Sequence, residues 1–271
     1  MSVSYDFGGK VVVVTGAARG VGREMVNSFI ESGAYVVAAD RDFAALADTC
    51  RDHGSAALAV PADITIIDDV QRVASTAVRE FGRLDICVNN AAVAPHTSLL
   101  EEDVHTWDTV YAVNCRGTFL MTQATAQAML NQGHGGRIIN FSSGVTRRGS
   151  AGAAAYASSR AAVESFTRVA AIELASANIL VNCVRPGLID TQPKPLPPSM
   201  AESLEHRIPT LPLARAGEPA EVVQAVLWLS SEGSSYVTGA VIDVDGGAGV
   251  GVRTTTPVVD DDPRYTWVRE E

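Results

Sequence analysis

The sequence predicts an α/β domain built on a doubly wound parallel sheet, and three observations carry that prediction. A β-branched run, Lys10 to Val14, ends in a glycine cluster that opens directly into the amphipathic segment Arg23 to Ser32. Apolar strand-like runs alternate with helix-period segments roughly every 25 to 30 residues, which is the rhythm of βαβ units. With 271 residues, 46% of them apolar, the chain can bury one large core and needs no second domain.

The first strand leads into Thr15-Gly16-Ala17-Ala18-Arg19-Gly20-Val21-Gly22. Glycines let the backbone turn tightly and approach a pyrophosphate, while the following helix presents free N–H groups and the positive end of its dipole. The second strand, Tyr35 to Ala39, ends in Asp40. A carboxylate at that place accepts hydrogen bonds from both hydroxyls of an adenosine ribose and repels a 2′-phosphate. Arg41 follows and softens that exclusion, so NAD is favoured over NADP rather than required.

A third strand, Ala56 to Val60, runs into Asp63, and a fourth, Leu84 to Val88, runs into Asn89-Asn90-Ala91-Ala92. Between them lies an amphipathic helix, Asp68 to Phe81, closed by Gly82. The long helix from Asp103 to Leu130 carries Asn114 with Gly117 three residues later. Both residues are unfavourable inside a helix, which predicts a partner for the Asn114 amide or a bend.

The run Arg137 to Phe141 reads as a buried strand ending at Ser142-Ser143, and an alanine-rich helical segment follows. Tyr156 and Arg160 are four residues apart on it and share one face. A fixed positive charge beside a phenol favours the phenolate and suits the tyrosine to proton exchange. Asp63, Asn89, Ser143 and Pro186 all fall at strand ends, where the ligands of doubly wound sheets gather.

After Thr191 the chain becomes proline-rich, and Ser199 to Ile208 places Met200, Leu204 and Ile208 at helical spacing. Residues 192–215 therefore read as a lid over the substrate. With Val93, Pro95, Leu188 and Met200 as walls, the pocket suits a mostly apolar or alicyclic substrate, and Arg147-Arg148 reads as an exposed basic pair. A helix from Pro219 to Leu229 and a strand from Val241 to Val244 close the pattern, leaving 248–271 as a tail whose composition predicts disorder, with Tyr265 and Trp267 offering the alternative of docking on a neighbouring subunit or covering a site.

A formal charge of −10, with no basic cluster beyond Arg147-Arg148, argues against nucleic acid and anionic membrane as partners. Met1 to Gly9 lacks a signal-peptide pattern and no apolar run reaches the length of a membrane span, so a cytoplasmic protein is expected. Cys50, Cys87, Cys115 and Cys183 show no CxxC spacing and read as free thiols, mostly buried. His96, His105 and His206 lack metal-ligand spacing, and no metal is expected.

Over roughly Lys10 to Gly247 the chain resembles the classical short-chain dehydrogenase/reductase family. The resemblance is carried by the Thr15 to Gly22 turn, Asp63, Asn89-Asn90-Ala91-Ala92, Asn114, Ser143, Tyr156, Pro186-Gly187 with Thr191, and the closing Asp245-Gly246-Gly247. It implies a three-layer Rossmann-like single domain over 1–247 with about seven parallel strands. It implies hydride transfer between a nicotinamide and a secondary alcohol or ketone, the activity of an NAD-dependent alcohol dehydrogenase or ketoreductase. Within it Tyr156 matches the general acid/base, Ser143 the contact to the substrate oxygen and Asn114 the water-holding Asn. The cofactor set is Gly16, Arg19, Gly20, Val21, Gly22, Asp40, Arg41, Asp63, Ile64, Asn89, Asn90, Ala91, Pro186, Gly187, Ile189 and Thr191, joined by Tyr156 and Arg160. Asp63 is implied beside adenine, Asn89 under the cofactor, and Ile189 and Thr191 against the carboxamide.

Arg160 is the departure, because the family's pattern has lysine there. Arginine keeps the charge and the donors but cannot release a proton, and its planar fork is bulkier. The chain has only two lysines, Lys10 and Lys194, against nineteen arginines, so a tolerated exchange is one explanation. The other is a catalytically weak cofactor-binding protein that regulates or scaffolds a partner; a lyase or isomerase of the same fold also stays open. The family's usual assembly implies a homotetramer or homodimer through the helices matching Asp103 to Leu130 and Gly152 to Ala177.

Overall fold

Short apolar runs, the first of them four consecutive valines, set the frame. In the computed structural model, which describes residues 4–191 and 198–253, they form seven strands. These are β1 (Val11–Thr15), β2 (Tyr35–Asp40), β3 (Ala57–Pro61), β4 (Ile86–Asn89), β5 (Gly136–Phe141), β6 (Ile179–Pro186) and β7 (Val241–Val244). They pair in the order β3-β2-β1-β4-β5-β6-β7, every neighbour parallel. Side chains alternate across a strand, so β1 serves two cores at once. Val12 and Val14 join one with Met25, Phe29, Leu46 and Val226, while Val11 and Val13 join the other with Val73, Met121, Met129 and Ala170.

The helices that bring those residues lie on opposite faces, giving the three layers. One face carries α1 (Gly20–Glu31), α2 (Phe43–Cys50) and α8 (Pro219–Ser230); the other carries α3 (Ile67–Phe81), α5 (Thr118–Gln132) and α6 (Ala154–Leu174). Gly82 ends α3 in the left-handed region at φ 77°, its N–H returning to Val78 O. The helix α2 is absent from the sequence reading. Asp42 starts it by accepting from Ala45 N at 3.2 Å, a cap that eight residues need when they are too short to show a clear period.

The predicted helix from Asp103 to Leu130 is three pieces. α4 (Val104–Tyr111) passes into a π turn, Ala112–Gly117, and then into α5. Asn114 causes the break from within, because its Oδ1 accepts from Val93 N and its Nδ2 donates to Val93 O, both at 2.9 Å. Gly117 is required from outside: a Cβ there would lie 2.6 Å from Ile64 Cδ1.

Strand order reverses between β1 and β4, where Thr15 stands beside Asn89 in register. Such a switch point opens a crevice at the carboxyl ends of the strands. The segment expected to form a lid contributes α7 (Pro198–Arg207), on which Leu204 is half-buried, as is Ile208 just beyond it. Residues 192–197, the Met200 side chain and the tail aromatics Tyr265 and Trp267 lie outside what is described. No helix among the described residues is long and apolar enough to cross a membrane.

Candidate active site

The glycine turn is dictated by close approach. Gly16 has φ +65°, and a Cβ on it would sit 2.8 Å from Ala91 Cα; one on Gly22 would sit 1.9 Å from Gly16 O. Only hydrogen fits at either place. Asn90 staples the turn by donating Nδ2 to Thr15 O and Gly16 O, each at 3.0 Å, while Thr15 Oγ1 accepts from Asn90 N and Ala91 N. The turn therefore delivers the N-terminus of α1, Gly20, Val21 and Gly22, to the crevice with its orphan N–H groups free for an anion.

A hollow of about 110 Å³ opens there, lined by Gly16, Asp40, Arg41, Asp63, Ile64 and Ala91 among others. It adjoins a second of about 310 Å³ whose wall adds Arg19 and Asn90. Asp40 is oriented by two backbone donors, Ala18 N to Oδ2 at 3.1 Å and Asp42 N to Oδ1 at 3.0 Å, which leaves each oxygen a free lone pair. Asp63 uses Oδ1 to accept from Thr65 N and Thr65 Oγ1, at 2.8 and 2.7 Å. Asn89 is not brought to this hollow. It is 2% exposed and its Nδ2 donates to Asn140 Oδ1 and Thr122 Oγ1, so it ties β4 to β5 and α5 beneath the floor.

Beyond the crevice the chain gathers the proton-transfer candidates. β5 ends at Phe141, and of the two serines that follow, Ser142 is buried with its hydroxyl on Glu164 Oε1 at 2.5 Å. The Ser143 hydroxyl has no protein partner among the described residues, and its backbone is extended at φ −157° and ψ 149°. Tyr156 stands half-buried in the first turn of α6. Arg160 is buried one turn later, its Cζ 5.5 Å from the centroid of the Tyr156 ring. Its Nη1 donates to Phe141 O at 2.9 Å, and its Nε is buried without a partner. The guanidinium thus meets the ring face, a cation–π arrangement, with one arm tied to the end of β5. Asn114 reaches the same helix, since Nδ2 donates to Ser159 Oγ at 3.2 Å and Ser159 Oγ donates to Tyr156 O at 2.8 Å.

The segment after β6 closes the far side. Gly187 must be glycine because a Cβ would lie 2.7 Å from Asp245 Cα, and its N–H donates to Val244 O at 2.9 Å. Pro186 ends the strand, Ile189 bridges to Gly217 and packs on the core, and Thr191 lies against Gly20, its Cβ 3.4 Å from where a Gly20 Cβ would stand. Thr191 therefore sits directly beside the start of α1.

Some contributors escape a motif reading. Asp42 pairs with the Arg19 side chain, Val113 of the π turn lines the crevice, and Glu164 takes up the hydroxyl beside Ser143. Only Asp42, two residues after Asp40, carried a local signal. Of the basic pair, Arg147 donates Nη2 to Asp243 Oδ2 at 2.8 Å, and Arg148 is exposed. Among the described residues no group of three or more His, Cys, Asp or Glu is arranged to hold a metal ion. The four cysteines are free; burial pushes the Cys87 thiol up to about 12.

The family profile described as enoyl-(acyl carrier protein) reductase matches residues 16–249. The chain belongs to the short-chain dehydrogenase/reductase family. As such it shares 39% identity over 243 residues with a 3-oxoacyl-(acyl-carrier-protein) reductase of Thermotoga maritima, covering 88% of this chain and 97% of that one. A (3R)-3-hydroxyacyl-CoA dehydrogenase of Mus musculus is 37% identical over 249 residues, covering 88% and 95%. The crystal structure of a short-chain type dehydrogenase/reductase from Mycobacterium marinum matches with a TM-score of 0.84 at 35% identity, covering 90% of this chain and 96% of that one. Membership makes this short-chain dehydrogenase/reductase an NAD(P)-dependent oxidoreductase, one that carries arginine at position 160.

Proposed function

We propose that the protein interconverts a secondary alcohol and a ketone, with NAD preferred and Tyr156 as the general acid/base. The observation that carries the reading is Tyr156 on α6, backed by the Arg160 charge and followed across the site by an unpartnered Ser143 hydroxyl. The glycine cradle fits a dinucleotide, because a single Cβ at Gly16 or Gly22 would fill it. NAD when bound supplies or accepts the hydride. Asp40 accepts from the adenosine ribose, and Asp63 has Oδ2 left for the adenine side. Ser143 holds the substrate oxygen while Tyr156 passes the proton to or from that same oxygen. Both Asn114 amide hydrogens are taken by Val93 O and Ser159 Oγ, so its side chain acts as a brace.

Substrate class rests on two supports that differ. The relatives' names point to 3-oxoacyl and 3-hydroxyacyl thioesters, whereas Val93 and Pro95, which border one hollow with Val110, offer an apolar wall that suits an alicyclic ketone as well; Leu188 lines a separate hollow with Ile189 and Leu213. The first experiment is a calorimetric titration with NADH and NADPH, then assay of acetoacetyl-CoA and cyclohexanone by nicotinamide absorbance. Micromolar NADH binding, much weaker NADPH binding and turnover of either ketone are expected. Binding of neither dinucleotide would overturn the reading.

A second reading, a cofactor-binding protein with slow turnover, is favoured by one observation: Arg160 lies under the tyrosine ring with Nη1 held by Phe141 O. A side chain so held is less free to serve a ribose than a lysine would be. NADH binding without turnover of any ketone would select it.

A further inference from the structure

Behind the Ser143 loop lies a partly buried acid that none of the motifs includes. Glu164 stands one turn after Arg160 on α6 with its side chain 13% exposed. Its Oε1 accepts from Ser142 Oγ at 2.5 Å and Thr146 Oγ1 at 2.7 Å, and Arg185 Nη1 donates to both carboxylate oxygens at 3.1 Å. Arg185, 8% exposed, also forks onto Asp243, donating Nε to Oδ1 and Nη2 to Oδ2. Its hydrogen bond to Asp243 holds the guanidinium above its ordinary range; burial opposes this, and the Glu164 charge adds to it. Charge-assisted bonds in a low-dielectric corner are strong and reinforce one another.

Ser142 and Thr146 bracket Ser143. The Ser143 carbonyl accepts from Thr146 N at 3.0 Å and lies 2.9 Å from Thr146 Oγ1, whose single proton chooses between that carbonyl and Glu164. One carboxylate therefore grips the loop on both sides of the one hydroxyl left free. We propose that Glu164 is a positioning residue, fixing through Ser142, Thr146 and Arg185 the loop that presents the Ser143 hydroxyl to the substrate oxygen. The proposal rests on the reading of Ser143 given above.

A double-mutant cycle with Ser143→Ala tests it, with acetoacetyl-CoA and NADH as probes. Glu164→Ala is expected to lower kcat about 10- to 100-fold, the scale of a misplaced contact, with NADH affinity within about two-fold. Arg185 keeps Asp243 in that variant, so no charge is left alone. In the Ser143→Ala background the same change should cost less than about three-fold, because its route of action is already gone. Glu164→Gln retains an oxygen for Ser142 and Thr146 and should recover most of the loss. Should Glu164→Ala fail to fold, Thr146→Val replaces it, and a several-fold loss of kcat that disappears in the Ser143→Ala background is the expected result. Losses that simply multiply in the cycle, or an unchanged kcat, overturn the proposal.

Hydrogen exchange over residues 142–147 separates this proposal from the reading beneath it, since it needs no substrate. Thr146 N and Arg147 N are bonded to Ser143 O and Gly144 O, and Glu164→Ala should speed their exchange while leaving β1 amides protected. A wild type that turns over no ketone would overturn the reading of the site, and exchange alone would then decide the positioning. Unchanged exchange would overturn it.

Discussion

At the proposed dinucleotide end of the crevice the chain contributes mostly backbone, while at the proposed proton-transfer end it contributes side chains from three separate elements. Gly16, Gly20 and Gly22 matter for the Cβ atoms they lack, and even Asn90 acts there by bonding to main-chain oxygens. Ser143 after β5, Asn114 in the π turn, and Tyr156 with Arg160 on α6 are proposed for their functional groups, which come from stretches far apart in the chain. A backbone cradle admits almost no substitution. A side-chain constellation tolerates one so long as charge and reach survive, and the exchange, arginine for lysine, falls in that half.

The largest expected effect separates the two ends. Tyr156→Phe should lower kcat by about 10²- to 10⁴-fold while NADH affinity and Tm stay near wild type, because it deletes one hydroxyl and keeps the ring under which Arg160 packs. Steady-state kinetics beside a calorimetric titration measure both. A matching loss of NADH affinity would show that the two ends are not separable.

Gly22→Ala tests the other end and should invert an ordinary rule. In an exposed helix alanine stabilises relative to glycine by about 1 kcal/mol. Here the added methyl meets Gly16 O at 1.9 Å, which displaces the turn itself. NADH affinity is expected to fall about 100-fold and Tm to fall with it, with kcat at saturating NADH changed little. A stabilised variant with normal affinity would remove the steric account of the cradle.

The same division explains what a linear reading could see. Glycine spacing, Asp40 at a strand end and the Tyr156-Arg160 interval are local, and most strands and helices are legible to within a few residues from such local runs, whereas the range of β6 and the switch point come only with the fold. The π turn was half legible: Asn114 and Gly117 announced a defect, but its partners, Val93 and Ile64, come from other elements. Asn89 illustrates the opposite case. Its place at the end of β4 points to the ligand, yet strand alternation turns its side chain into the core toward Asn140. Glu164 was invisible because an acid on a helix reads as solvent-facing until β6 supplies Arg185 beneath it.

Arg160→Lys carries the smallest expected effect and bears most directly on the contrast between the ends. The guanidinium reaches Phe141 O with Nη1, meets the Tyr156 ring with its face and leaves Nε buried without a partner. An unsatisfied buried donor is unfavourable by about 1–3 kcal/mol, so the native residue sits in a site it does not fully satisfy. Lysine removes that orphan, gives up the planar stack, and presents three rotatable donors on a compact head that can exchange a proton with water. If the site is a working one that tolerates arginine, kcat should rise a few-fold and NADH affinity should hold or improve. The two quantities then point to the same cause, a cation freed from the ring and turned toward the crevice. Equal or lower kcat, with NADH affinity intact, would mean that the fold has been fitted around arginine, and that the side-chain end is as intolerant of change as the backbone end.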